Sequence, residues 1–228
     1  MRRRIALAAF ALVAIAACGS RSPDEQQTLA APPSIRQPAT STSRPRVVAL
    51  GDSITAGLGL PPAEAYPALL QKYVDAEGLN YEVVNAGVSG DTSAGGLSRL
   101  DWALDGDVRF LIVALGGNDA LRALSAANLR QNLSTIIERA QAKHITVVLA
   151  GMEAPRNFGR DYIVRFHQVY PDLAHKYNVA LVPFLLQDVA GIDRLNQRDG
   201  IHPTAEGAEI VARNIWSVLK PLLVAARS

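Results

Sequence analysis

The stretch Val47-Val48-Ala49-Leu50-Gly51-Asp52-Ser53-Ile54-Thr55-Ala56-Gly57 decides how the chain is read. Four apolar residues in succession predict a buried strand, and Gly51-Asp52-Ser53 predicts a tight turn delivering a hydroxyl to the strand's carboxyl end. In an open α/β sheet that end is where ligands bind. A serine hydroxyl is a weak nucleophile alone, so chemistry at Ser53 needs a histidine to take its proton and a carboxylate to orient that histidine. Both residue types stand near the C-terminus, in Asp199-Gly200-Ile201-His202-Pro203.

Working outward, the short apolar runs 47–50, 81–85, 110–115, 145–150 and 179–182 predict strands, each bounded by turn residues as in a largely parallel sheet. Helical patterns separate them. Residues 64–77 carry Pro67 early and end before Gly78, the proline-in, glycine-out asymmetry of a helix. Residues 125–142 open on a serine cap and place Leu129, Leu133, Ile136 and Ile137 at helical spacing. Residues 161–177 and 204–219 complete the set, with a kink or break expected at Pro171. Five strands alternating with helices predict a three-layer α/β/α sandwich with a mostly parallel five-stranded sheet.

The chain has 228 residues, 49% of them hydrophobic, enough for one sizeable core. Its formal charge of +2 becomes −1 without Arg2, Arg3 and Arg4 (2 − 3), so the positive sign belongs to the N-terminus and no nucleic-acid partner is expected. Those arginines, the apolar run 5–17 and the small residues that follow have the layout of an export signal. The run is too short for an ordinary transmembrane helix. Ile15-Ala16-Ala17-Cys18 resembles a bacterial lipobox, in which the cysteine is lipidated; a plain secretory signal with a chance cysteine is the blander alternative. Cys18 is the only cysteine, so no intramolecular disulfide can form. Gly19, with no aspartate there, points by resemblance to lipoprotein sorting toward the outer membrane. The expected organisation is therefore a signal peptide at 1–17, a lipidated Cys18 with a flexible linker at 18–45, and one domain at 46–228. The linker assignment rests on its Ser, Thr, Pro, Ala and Gln content, which offers too little apolar surface to offset the entropy of folding.

Four loops hold polar groups: Gly51-Asp52-Ser53, Ser89-Gly90-Asp91-Thr92, Gly116-Gly117-Asn118-Asp119 and Asp199-Gly200-Ile201-His202. The first three follow predicted strands, so a parallel sheet brings them to one edge. Hydrolysis of an ester or thioester requires a nucleophile, a base and donors for the oxyanion. Ser53, His202 and Asp199 fit the first roles, and the backbone N–H groups of Ser53 and Gly90 with the Asn118 side-chain amide fit the last. Asp52 and Asp119 fit loop bracing through backbone N–H groups better than acid chemistry. Leu121, Leu124 and Phe158 are candidates for an acyl groove, or for small satellites of the core. His144, His167 and His175 read as structural or solvated. No metal motif, dinucleotide fingerprint, phosphate loop or Gly-x-Ser-x-Gly elbow occurs, and no cofactor is expected.

These blocks resemble the GDSL or SGNH hydrolase superfamily, in particular its bacterial periplasmic thioesterase, lysophospholipase and arylesterase members. The similarity runs from Val47 to Leu223 and includes the Ala86 to Ser93 block, Asn157-Phe158-Gly159 and Tyr162. The resemblance implies a flavodoxin-like SGNH fold, with Ser53, Gly90, Asn118 and His202 as its four name-giving residues and Asp199 completing the triad. Ile54 stands where leucine is usual. The implied activity is hydrolysis of acyl esters or thioesters through an acyl-Ser53 intermediate, and a lysophospholipid or other acyl ester suits an envelope location better than cytosolic acyl-CoA. Singly, each motif has a plain reading as a turn or capped helix start; together and in order they point to the site. An envelope carbohydrate O-deacetylase and a non-catalytic lipid-binding lipoprotein are the competing readings.

Overall fold

The computed structural model describes residues 44–226, so the expected signal peptide at 1–17, Cys18 and all but the last two residues of the expected linker lie outside the described residues. In chain order the elements are β1 (Arg46–Gly51), α1 (Ser53–Ala56), α2 (Tyr66–Ala76), β2 (Glu82–Gly87), α3 (Ser93–Ser98), α4 (Leu100–Ala103), β3 (Val108–Ala114) and α5 (Gly117–Leu121). They continue with α6 (Ala126–Ala142), β4 (Thr146–Ala150), α7 (Arg160–Tyr177), β5 (Ala180–Val182) and α8 (Ala205–Ala225). The five strands form one parallel sheet in the order β2-β1-β3-β4-β5. Helices α2 and α8 pack together in one layer, while α6 packs on α7 and α3 in the other. That is the expected three-layer α/β/α sandwich.

Sequence pattern and position agree strand by strand. From Phe110 to Ala114 every residue of β3 is buried, as are Val47 to Leu50 of β1, because helices cover both faces of these central strands. The edge strand β2 mixes exposed and half-buried residues with a single buried one, Ala86, in keeping with its less uniformly apolar sequence. The chain passes from β1 outward to β2 and then crosses back to β3. A parallel sheet opens a crevice at such a reversal, outside the carboxyl ends of the two diverging strands. The loops carrying Ser53 and Asn118 leave β1 and β3 at that crevice.

Two helix boundaries differ from the sequence expectation, and at Pro171, where a kink or break is expected, the helix is not broken. The pattern at 64–77 resolves into a 3-10 turn at Pro62–Glu64 and α2 from Tyr66, with Ala65 extended between them. A helix begun at Glu64 would place Pro67 where an amide must bond to the carbonyl four residues back, whereas beginning at Tyr66 keeps it in the first turn. No break occurs at Pro171, and α8 runs six residues past the expected end, through Pro221. The carbonyls these prolines leave unbonded belong to His167 and Ser217, both exposed, where water can serve them. Buried Leu173 and Leu223 hold the distal turns to the core. No helix among the described residues is long and apolar enough to cross a membrane.

Candidate active site

Ser53 is the first residue of α1, immediately beyond β1. Asp52 caps that helix: its Oδ1 accepts the Ile54 N–H at 3.0 Å. A second tie comes from Thr55 Oγ1, 2.9 Å from the hydroxyl of Tyr66 on α2. Both side chains are buried, so the nucleophile turn is clamped from the core side.

The histidine loop is built differently. It begins and ends on an isolated antiparallel bridge between Asn196 and Pro203, and the Gln197 N–H donates to the His202 carbonyl at 2.7 Å. Gly200 turns the chain with φ of 70°, a left-handed conformation that a side chain would strain. This fold-back lets Asp199 Oδ1 accept the N–H groups of Ile201 and His202 at 2.9 and 3.0 Å. Asp199 Oδ2 then faces His202 Nδ1 at 2.7 Å. Hydrogen bonds from the His202 N–H, the His202 ring and the Ile201 N–H, in that order, pull the Asp199 carboxyl down to about 2. The other ring nitrogen, Nε2, lies 2.8 Å from Ser53 Oγ. With Nδ1–H donating to the Asp199 carboxylate, Nε2 of the neutral ring can only accept, so the serine hydroxyl donates to it. Ser53, His202 and Asp199 thus meet in the order a proton relay needs.

On the far side of Ser53, Asn118 Nδ2 sits 2.9 Å from the Asp91 carbonyl and 3.3 Å from Asp52 Oδ2. Both neighbours only accept, so the atom facing them is the amino group, and the longer bond is the weaker hold on its second hydrogen. Gly90 has φ of 85°, and a Cβ there would meet only Arg122 Nη2, at 3.7 Å. The backbone conformation at position 90 therefore favours glycine. The Ser53 and Gly90 amides have no acceptor among the described residues. Free donors lining the same cavity as the Ser53 hydroxyl suit a developing oxyanion.

Burial pushes the Asp52 carboxyl up to about 6, against opposing hydrogen bonds from Ile54 and Asn118 and the nearby His202 charge. Asp119 braces, as expected: its oxygens accept the Ser93 N–H at 2.7 Å and the Ser93 hydroxyl at 2.5 Å. Asn132 on α6 donates to the same hydroxyl at 2.9 Å.

Ser53, Gly90, Asn118 and His202 all line one cavity of about 820 Å³, whose remaining wall is largely apolar through Met152, Ala154, Pro155, Phe184 and Leu186. Leu121 belongs to this wall, but Leu124 and Phe158 do not. Leu124 is 38% exposed, and its carbonyl accepts the Tyr162 hydroxyl at 2.8 Å; Phe158 packs on the Tyr162 ring with centroids 5.7 Å apart. His167 lies over Glu153 at 3.5 Å on the surface, and no cluster among the described residues could hold a metal ion.

Two residues escaped the sequence reading. Half-hidden Arg99 donates from Nε to Asp91 Oδ2 at 2.6 Å and from Nη2 to the Gly51 carbonyl at 2.9 Å, tying the Gly90 loop to the nucleophile turn. Gln197 donates to the Leu58 carbonyl at 2.7 Å and the Pro203 carbonyl at 2.9 Å, joining the histidine loop to the segment after α1. Apart from the Arg99–Asp91 ion pair, their bonds go to backbone carbonyls, which carry no sequence signature.

Comparison with known proteins gives the family. The GDSL-like lipase/acylhydrolase family profile matches residues 49–210, and the chain belongs to that family. It is 46% identical to esterase TesA of Pseudomonas aeruginosa over 178 residues, 78% of this chain and 89% of that protein. It is 37% identical to thioesterase 1/protease 1/lysophospholipase L1 of Escherichia coli over 175 residues, 76% of this chain and 83% of that one. A crystal structure of TesA superposes with a TM-score of 0.75 at 44% identity, covering 78% of this chain and 99% of the solved one. That solved chain thus holds almost nothing beyond the domain shared here.

Proposed function

We propose that this protein is a serine esterase that hydrolyses acyl esters or thioesters through an acyl-Ser53 intermediate. The observation that carries the reading is the unbroken line Asp199 Oδ2, His202 Nδ1, His202 Nε2, Ser53 Oγ, with both contacts below 3 Å. As Ser53 Oγ attacks the acyl carbonyl, its proton passes to Nε2 and the carbonyl oxygen takes the negative charge. The Ser53 and Gly90 amides and Asn118 Nδ2 receive that oxyanion, the last by exchanging its long bond to Asp52 for a shorter one. Collapse of the intermediate expels the alcohol or thiol, which takes the proton from His202. Water repeats the sequence on the acyl-enzyme, releasing the acid and restoring Ser53.

The apolar wall of the cavity supports a medium or long acyl chain, as in a lysophospholipid, over an acetyl group, which would leave most of 820 Å³ unfilled. The relatives named for esterase, thioesterase and lysophospholipase activity support the same class. Turnover of p-nitrophenyl esters from acetyl to palmitoyl, in wild type and Ser53→Ala, tests the reading. Serine-dependent turnover peaking at medium or long chains is expected. A maximum confined to acetate would move the assignment to an O-deacetylase, and undiminished turnover in Ser53→Ala would end it.

The N-terminal sequence supports an envelope lipoprotein anchored through Cys18. Metabolic labelling with a radioactive fatty acid should mark the wild type and leave Cys18→Ser unmarked.

A further inference from the structure

Nine large apolar side chains are substantially exposed among the described residues, and their distribution is uneven. Trp102, Val164 and Val224 lie on α4, α7 and α8 and do not line the cavity. The other six, Leu58, Val88, Leu121, Leu124, Ile192 and Ile201, lie on the segments leaving the carboxyl ends of β1, β2, β3 and β5. Leu58, Leu121 and Ile201 line the cavity itself, while Val88 and Ile192 each adjoin a lining residue. Leu124, which the cavity does not use, stands three residues beyond Leu121. An apolar rim around a cavity mouth is costly to leave in water unless something covers it.

From this we infer that the rim is a docking face for a phospholipid bilayer, through which an acyl substrate passes from the lipid into the cavity. The inference rests on the acyl-ester reading above, and on chain length as well as exposure. Residues between Cys18 and Arg46 number 27 (46 − 18 − 1). Fully extended they reach roughly 90 Å, whereas a domain of this size is about 40 Å across. Arg46 begins β1 at the sheet's amino edge, opposite Ser53, so a short tether would turn the cavity away from the membrane. This one is long enough to let the carboxyl edge face the bilayer that holds the anchor.

The binding is apolar in origin. Arg194 pairs with Glu206, and of the other exposed charges on the loops after β3, β4 and β5, Arg122, Arg156 and Arg198 stand against Glu153, Asp188, Asp193 and Asp199, a net of −1 (3 − 4). Net attraction to anionic headgroups is therefore small, and docking proceeds by insertion of side chains into the interface. Weak intrinsic affinity suffices once a tether raises the local concentration.

Flotation of residues 44–228, which lack Cys18, with vesicles of zwitterionic phosphatidylcholine isolates the docking from the anchor. Co-flotation unchanged by added salt is expected. The variant Val88→Ser/Leu124→Ser/Ile192→Ser, which alters no cavity-lining residue, should bind at least roughly fivefold less while keeping wild-type turnover of a soluble short-chain ester. In the full chain the same variant should lose turnover of a vesicle-held ester and keep that of the soluble one. Absence of flotation, equal flotation of the triple variant, or binding seen only with anionic vesicles at low salt would overturn the inference. Failure of Ser53-dependent ester turnover would remove the acyl-ester reading and leave the flotation result standing, and failure of Cys18 labelling would remove the anchor alone.

Discussion

Two aspartates, each within a few residues of a reacting group, are driven in opposite directions. Asp52 is buried in the nucleophile turn, and desolvation raises its carboxyl to about 6; Asp199 is 44% exposed in the histidine loop, and hydrogen bonds lower it to about 2. The difference reflects how each half of the site is built. The Ser53 turn is held by the sheet and by α2, whereas the Asp199 to His202 loop is held by its own backbone and one glycine. Burial makes a charge costly, and local amides make it cheap.

Asp199→Asn breaks the comparison on the exposed side. An amide in place of the carboxylate no longer fixes the ring tautomer, so turnover should fall by roughly a thousandfold to ten-thousandfold. Fluorophosphonate labelling of Ser53 should slow in parallel. If turnover stayed within tenfold, His202 would be oriented by something other than Asp199.

The next largest effect belongs to the side-chain donor held on the Ser53 side of the site. Asn118→Ala removes the group bridging Asp91 and Asp52, and turnover should drop by about a hundredfold to a thousandfold. KM for a soluble ester should change little, because the lost bond strengthens only in the transition state. A rise in KM with kcat intact would place Asn118 in substrate binding instead.

The smallest effect on turnover, and the sharpest contrast in pH, comes from Asp52→Asn. An unfolded aspartate titrates near 3.8 and the folded Asp52 near 6, so between those values the unfolded state loses its proton first and stability falls as pH rises. The gap corresponds to on the order of 3 kcal/mol. Denaturant titrations from pH 4 to pH 7 should show that decline in the wild type and a flatter profile in Asp52→Asn. Asp199 contributes with the opposite sign: its stabilisation is present above the unfolded value and is lost as pH falls toward about 2. Identical wild-type and Asp52→Asn profiles would mean that Asp52 is not desolvated.

Much of this was legible in the chain because it is local. The five strands, the Ser125 cap of α6 and the three-residue step from Asp199 to His202 depend on neighbours a few positions apart, and pattern reports them. The choice of cavity wall was not legible. Leu121 and Leu124 share one segment and one residue type, yet only the first reaches the cavity, since α5 ends between them and Tyr162 takes the Leu124 carbonyl.

By itself, the sequence determined the fold class, the choice of Ser53, His202, Asp199, Gly90 and Asn118 as candidates for the site, and the turn that joins Asp199 to His202. Only the tertiary structure decided that groups 149 positions apart come within 2.8 Å, that Arg99 and Gln197 hold the loops in register through backbone carbonyls, and that Asp52 is buried deeply enough to titrate near 6. The physical reason is range. Propensity, turn chemistry and capping act over a few residues and are written in residue type, whereas desolvation and long-range hydrogen bonds depend on what the packed chain brings near.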